Sequence, residues 1–154
     1  LRMNGVVGEG EVGTAWQVLQ LTGQVDFERL SKQVGKRDGY KILAFCEGMA
    51  AAYAASDFCV ARSGASSLTE LSHAGLPALL VPFPFAADDH QTANARVFEK
   101  AGAAILTHEK DLEAKTITDM LSELDDGILK NMSESMLNLA DPAAAAQIVN
   151  VIEG

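Results

Sequence analysis

The sequence predicts an α/β domain, a Rossmann-like parallel sheet with helices on both faces and a helical annex at its C-terminal end. Three observations lead there. Apolar, strand-like runs alternate with helix-period patterns as far as residue 106. Each switch between the two falls at a Gly, an Asp or a Ser. Beyond Asp111 the pattern is helical only. Repeated βα units need right-handed crossovers, and these give a parallel sheet sandwiched by helices.

Taken in order, residues 16–21 read as a strand and 26–34 as a short helix. Residues 42–45 and 58–61 are strands flanking a helix centred on the run Met49 to Ala55. Residues 66–73 are helical and stop at Gly75, and 77–81 have the continuous apolar character of a strand covered on both faces. A longer helix spans about residues 89–100 and ends at Gly102, followed by a last short strand at 104–106. In the annex, Leu112, Ile117, Met120 and Leu121 fall near helical spacing, and a further helix covers 128–139. The final helix begins at Asp141-Pro142, an N-cap followed by Pro at the first helical position, and runs to Ile152. Residues 1–13 are expected to be an unmatched lead, truncated or flexible, and residues 14–154 the domain itself.

The chain has 154 residues, 48% hydrophobic and 21% charged, which fits one domain with a substantial core. Twelve Lys and Arg against 21 Asp and Glu leave −9 at pH 7, without the basic footprint of a nucleic-acid binder or a polybasic stripe for anionic lipid. No apolar stretch approaches bilayer-spanning length and the first residues do not read as a signal peptide, so a soluble, cytoplasmic chain is expected. Cys46 and Cys59 are isolated in apolar segments and are expected to be reduced, packed thiols.

Gly8-Glu9-Gly10-Glu11-Val12-Gly13 spells a dinucleotide fingerprint, but strand-like residues follow it where a helix is required, and its two glutamates would face a diphosphate. Ala61-Arg62-Ser63-Gly64-Ala65-Ser66-Ser67-Leu68-Thr69-Glu70 is better placed, at the carboxyl end of a strand, where open α/β sheets bind ligands. Gly64 permits close backbone approach, and Ser66 and Ser67 open a helix whose N-terminus favours an anion. The same serines fit an ordinary N-cap equally well, with Thr69 or Glu70 closing a capping box. Glu70, one turn on, can accept two hydrogen bonds from a ribose diol, or be a solvated helix residue. In the loop and helix start from Pro82 to Ala95, His90, Gln91 and Asn94 lie close enough for one sugar to meet more than one of them. Capping by Asp88-Asp89 and a backbone hydrogen bond from Asn94 are the plainer alternatives. No Ser-His-Asp set, metal-spaced cluster or Walker loop is present in the sequence, so a binding surface is expected, with no metal and no cofactor.

The segment from Phe45 to Leu106 resembles the C-terminal domain of the MurG family, carried by the Gly-Ala-Ser helix start with its Glu, the GLPALLVP strand and the DDHQTANA helix in order. The resemblance implies the C-terminal half of a GT-B glycosyltransferase, an inverting hexosyltransferase that moves N-acetylglucosamine from UDP-GlcNAc to lipid I, giving lipid II for peptidoglycan synthesis and hence cell shape and division. It implies Phe45, Cys46 and Met49 beside the uracil; Ser63, Gly64, Ala65, Ser66 and Ser67 facing the diphosphate; Glu70 on the ribose hydroxyls; and His90, Gln91 and Asn94 at the GlcNAc and nearby phosphate. No catalytic residue is expected in this chain. The family's acceptor-binding N-terminal domain, with its membrane-facing patch and proposed base, has no counterpart here, nor does its Gly-Gly-Ser loop. The resemblance therefore implies a piece of a longer enzyme at the cytoplasmic face of the inner membrane, inactive alone. Other readings are a donor-binding subunit of a two-chain transferase and a non-catalytic uridine-nucleotide module; a nicotinamide-dependent oxidoreductase rests only on the misplaced Gly-rich lead.

Overall fold

The computed structural model describes residues 2–3, 16–85 and 89–153. Its strands are β1 (Arg2–Met3), β2 (Val18–Leu21), β3 (Tyr40–Leu43), β4 (Cys59–Ala61), β5 (Ala78–Leu80) and β6 (Ala104–Leu106). Between and after them lie α1 (Gly23–Val34), α2 (Met49–Ala54), α3 (Ala65–Ala74), α4 (His90–Lys100), α5 (Ala114–Glu123), α6 (Asp126–Asn138) and α7 (Ala144–Glu153). All pairings are parallel, in the order β3-β2-β1-β4-β5-β6. The order reverses direction at β1, so the crevice outside the carboxyl ends of β1 and β4 is the position where this architecture places ligands.

Alternation along the strands sorts the core into two faces. Phe58, Val60, Leu79 and Val81 point to one side, and Cys59, Ala78, Leu80 and Ala104 to the other. The first face is closed by Ile117 and Leu121 of α5 and Met132 of α6, so the annex is the second helical layer of the sandwich. Leu68 and Leu71 of α3 and Ala95 of α4 close the opposite face, where Met136 of α6 also reaches. β5 is buried along its whole length, as its unbroken apolar run requires. No helix among the described residues is long and apolar enough to cross a membrane.

Several expectations shift. Arg2–Met3, expected to belong to a lead, form a strand between β2 and β4, two short segments that alone would leave a gap in the sheet. The Gly8 to Gly13 run lies outside the described residues, and the first described element after it is a strand. β3 starts and ends two residues earlier than expected because Gly39, at φ 74°, turns the chain directly into Tyr40. Phe45 is thereby left in the loop before α2, 77% exposed. Cys59 is a buried thiol outside any disulfide, whereas Cys46, in that same loop, is partly exposed and so is not the packed thiol expected. α7 begins after a turn in which Asp141 Oδ1 accepts from the Ala143 amide, two residues past the expected start.

Candidate functional site

A parallel sheet delivers every strand exit to one edge, and here the exits of β3, β4 and β5 lead into α2, α3 and α4. The β4 exit is the short turn Arg62-Ser63-Gly64. Gly64 is the N-cap of α3, extended at φ −67° and ψ 146°, and no side chain caps the helix. Ser66 and Ser67 therefore stand inside the first turn, and the capping box does not form. Thr69 Oγ1 instead donates to the Ala65 carbonyl, and the Glu70 carboxylate accepts from the Tyr53 hydroxyl. An uncapped first turn keeps its backbone N–H groups and positive dipole end available to an anion.

Met49, Ser67 and Glu70, three of the residues singled out from sequence, line one cavity of about 390 Å³ between α2 and α3. The strands contribute Leu19 and Leu21 of β2 and Cys59 to Ala61 of β4, and Tyr53 and Arg62 complete the wall. The helical spacing explains the convergence. Met49 and Tyr53 are one turn apart on α2, and Ser67, Glu70 and Leu71 share a stripe of α3. Across the gap the Tyr53 hydroxyl donates to Glu70 Oε2 at 2.6 Å.

Ser63, Gln91 and Asn94 are also brought together, but with each other. Ser63 is fully buried and its Oγ donates to the Gln91 carbonyl at 2.8 Å, while Asn94 Nδ2 donates to the Ser63 carbonyl at 3.3 Å. Gln91 Oε1 accepts from the Phe83 amide at 3.0 Å, fixing the β5 exit to α4. The Ser63 hydroxyl thus faces α4: inside the core its proton must find an acceptor, and the carbonyl of α4's first turn supplies one. Asn94 makes the backbone bond that was its plainer alternative. His90 opens α4 on the exposed side of that turn, and Phe45 and Cys46 sit in the β3 exit; none of these three lines the cavity. Asp89 precedes α4 in the left-handed region at φ 53°, its carboxylate accepting from Thr92 Oγ1 at 2.6 Å. Residues 86–88 lie outside the described residues.

Arg62 ties the edge together. Its guanidinium donates to the Val81 and Pro82 carbonyls at 3.3 and 3.1 Å, pairs with Glu109 at 2.7 Å, and lies 5.4 Å from the centre of the Phe83 ring. One side chain so links the exits of β4, β5 and β6. Arg62 and Tyr53 both escaped selection from the sequence. Tyr53 was detectable, one turn after Met49 on the same helix, whereas Arg62's partners lie 19 or more residues away. Among the described residues no three His, Cys, Asp or Glu side chains converge in a metal-holding group.

The sheet order that reverses at β1, the uncapped helix start and the acidic residue on the same crevice are those of a ligand-binding α/β domain, and the family and structural matches make this one a glycosyltransferase domain of the GT-B type. It belongs to the glycosyltransferase family 28 C-terminal domain family, whose model matches residues 6–149. The chain is 46% identical over 109 residues to a UDP-N-acetylglucosamine–N-acetylmuramyl-(pentapeptide) pyrophosphoryl-undecaprenol N-acetylglucosamine transferase of Thiobacillus denitrificans, covering 71% of this chain and 30% of that protein. The transferase of the same name from Halorhodospira halophila is 42% identical over 141 residues, 89% of this chain and 39% of its own length. The crystal structure of Acinetobacter baumannii MurG superposes with a TM-score of 0.81 at 29% identity, over 89% of this chain and 42% of that one. The glycosyltransferase VinC, solved in complex with DTDP, shares the fold at 20% identity, with a TM-score of 0.67 over 92% of this chain and 35% of its own. The chain thus spans less than half the length of each of these relatives.

Proposed function

We propose that this chain is the UDP-GlcNAc-binding half of an inverting transferase that delivers GlcNAc to lipid I at the cytoplasmic face of the inner membrane, forming lipid II. The observation that carries this reading is the convergence of Met49, Ser67 and Glu70 on one cavity beside the uncapped start of α3, in a member of this family. In it, the diphosphate lies against the Gly64, Ala65, Ser66 and Ser67 amides, Glu70 takes the ribose hydroxyls, and Met49 with the Phe45 and Cys46 loop borders the uracil. His90, Gln91 and Asn94 border the sugar, with Ser63 holding α4 in place from beneath.

The chemistry divides between two halves. The acceptor hydroxyl attacks the anomeric carbon from the face opposite the diphosphate, a base on the acceptor-binding half takes its proton, and the bond to the diphosphate oxygen breaks with inversion. The negative charge that develops on the leaving UDP is met by the N-terminal amides and dipole of α3, fixed before the reaction begins. The donor-binding domain of this proposal takes in Arg2–Met3, whose strand lies within the same sheet.

Calorimetry with UDP tests it. The chain is expected to bind UDP in preference to NADH, and Glu70→Ala to weaken UDP by about 1.5–3 kcal/mol, the value of hydrogen bonds to an ionised acceptor. The melting temperature should hold, because Glu70 is exposed and its loss removes little packing. Equal affinity for UDP and NADH, or no binding at millimolar UDP, would overturn the reading.

A further inference from the structure

Glu70 is an exposed side chain with three rotatable bonds, and such a group holds one orientation only if something fixes it. Tyr53 does so. Its ring is half-buried against the cluster of Cys59, Leu68 and Leu71, has two torsions, and ends in a hydroxyl that donates to Glu70 Oε2 at 2.6 Å. A phenol bonded to an ionised carboxylate makes a short, charge-assisted hydrogen bond.

We propose that Tyr53 is a positioning residue, which locks the Glu70 carboxylate in the orientation that receives a ribose diol. The proposal rests on the reading of Glu70 as the ribose acceptor and names the residue that makes Glu70 fit for it. An ionised carboxylate has about four lone-pair sites. The Tyr53 bond occupies one on Oε2, and those left, Oε1 included, are enough for two sugar hydroxyls. Both side chains line the same cavity, Tyr53 from α2 and Glu70 from α3, so the bond also spans the gap between the two helices that wall it. Tyr53 acts through Glu70: with its hydroxyl donating to Oε2, the phenol is committed to the carboxylate and not to the ligand.

The expected effects follow from preorganisation. Freeing one long side chain costs roughly 2- to 10-fold in affinity when the ligand must order it again. Tyr53→Phe, which keeps the ring and its packing, should weaken UDP by that factor. It should leave 2′,3′-dideoxyuridine diphosphate unaffected, because that ligand offers Glu70 no hydroxyls. In a Glu70→Ala background, Tyr53→Phe should change nothing further. The experiment is titration calorimetry of both nucleotides into the chain, Tyr53→Phe, Glu70→Ala and the double variant, with affinities taken per folded molecule and melting temperatures recorded alongside. Tyr53→Phe binding UDP as tightly as the parent chain overturns the proposal. So does an equal loss for the two nucleotides, the mark of a general structural role. A Glu70→Ala chain that binds UDP undiminished removes the ribose reading itself, a failure distinct from that of Tyr53 alone.

Discussion

Tyr40 opens β3 at the sheet edge, and its hydroxyl donates to Oε1 of Gln20, a buried amide on β2. Burial raises the phenol's pKa above its ordinary value, and the positive charge of Arg37 opposes that rise without cancelling it. The folded state therefore keeps this proton at pH values where the unfolded chain has released it. The resulting stability is fully present below about pH 10, the phenol's unfolded value, and is lost as pH rises through the raised folded value. Tyr40→Phe should flatten the alkaline fall in urea midpoint relative to the parent chain. At neutral pH it should cost about 1–2 kcal/mol, because the Gln20 oxygen loses its donor in a buried setting. Parallel stability profiles from pH 7 to 11 would show that Tyr40 titrates alike in both states. At this scale the sequence is readable only locally. Ser67 and Glu70 stood out because their neighbours in the chain form a helix start. The direction of the Ser63 hydroxyl was hidden because its acceptor is 28 residues away, and the bond from Tyr53 to Glu70 because it spans 17.

Among the elements, α3 carries a glycine beyond each end for different reasons. Gly64 before it is extended and meets no heavy atom with an added Cβ, so its glycine leaves open space at the cleft. Gly75 after it sits at φ 59°, and its amide donates to the Ser72 carbonyl in a left-handed cap. A Cβ there would meet Leu137 Cγ at 2.9 Å and Ser133 Oγ at 3.2 Å on α6, and Ser133 Oγ donates to the Gly75 carbonyl at 2.7 Å. Gly75→Ala should therefore cost roughly 2–4 kcal/mol, the left-handed penalty plus overpacking. The check is a lower denaturant midpoint at unchanged slope; a change of under about 1 kcal/mol would mean that α6 yields freely. The stop of α3 at Gly75 was legible, since glycine after a helix-period run is a local signal. So were α4, β6 and the both-face burial of β5, each set by its own residues. The strand at Arg2–Met3 was not, because two residues carry no periodicity and the pairing comes from β2 and β4. Nor was the packing of α5 and α6 as the second layer, which depends on the unoccupied face of the sheet.

For the molecule as a whole, the proposed division of labour makes a kinetic prediction: the chain should bind UDP, yet transfer no GlcNAc to a short-chain lipid I analogue by itself. That proposal assigns donor binding and leaving-group stabilisation to this half, and orienting the acceptor and taking its proton to the other. Proximity and orientation alone account for roughly 7–11 kcal/mol of a barrier of this kind. The histidines here do not offer a ready substitute. His73 Nδ1 bonds the Thr69 carbonyl at 2.8 Å on α3, His108 precedes the turn Glu109–Asp111 after β6, and only His90 borders the proposed sugar site. Radiolabelled transfer should appear when a separately expressed acceptor-binding half is added, if the two associate as a two-chain transferase would. Turnover by this chain alone at about 1 per second or faster, a rate ordinary for enzymes, would overturn the two-half reading. His90→Ala would then be the decisive variant, since its loss of turnover would locate the base on the first turn of α4, beside the Gln91 carbonyl that Ser63 holds in place.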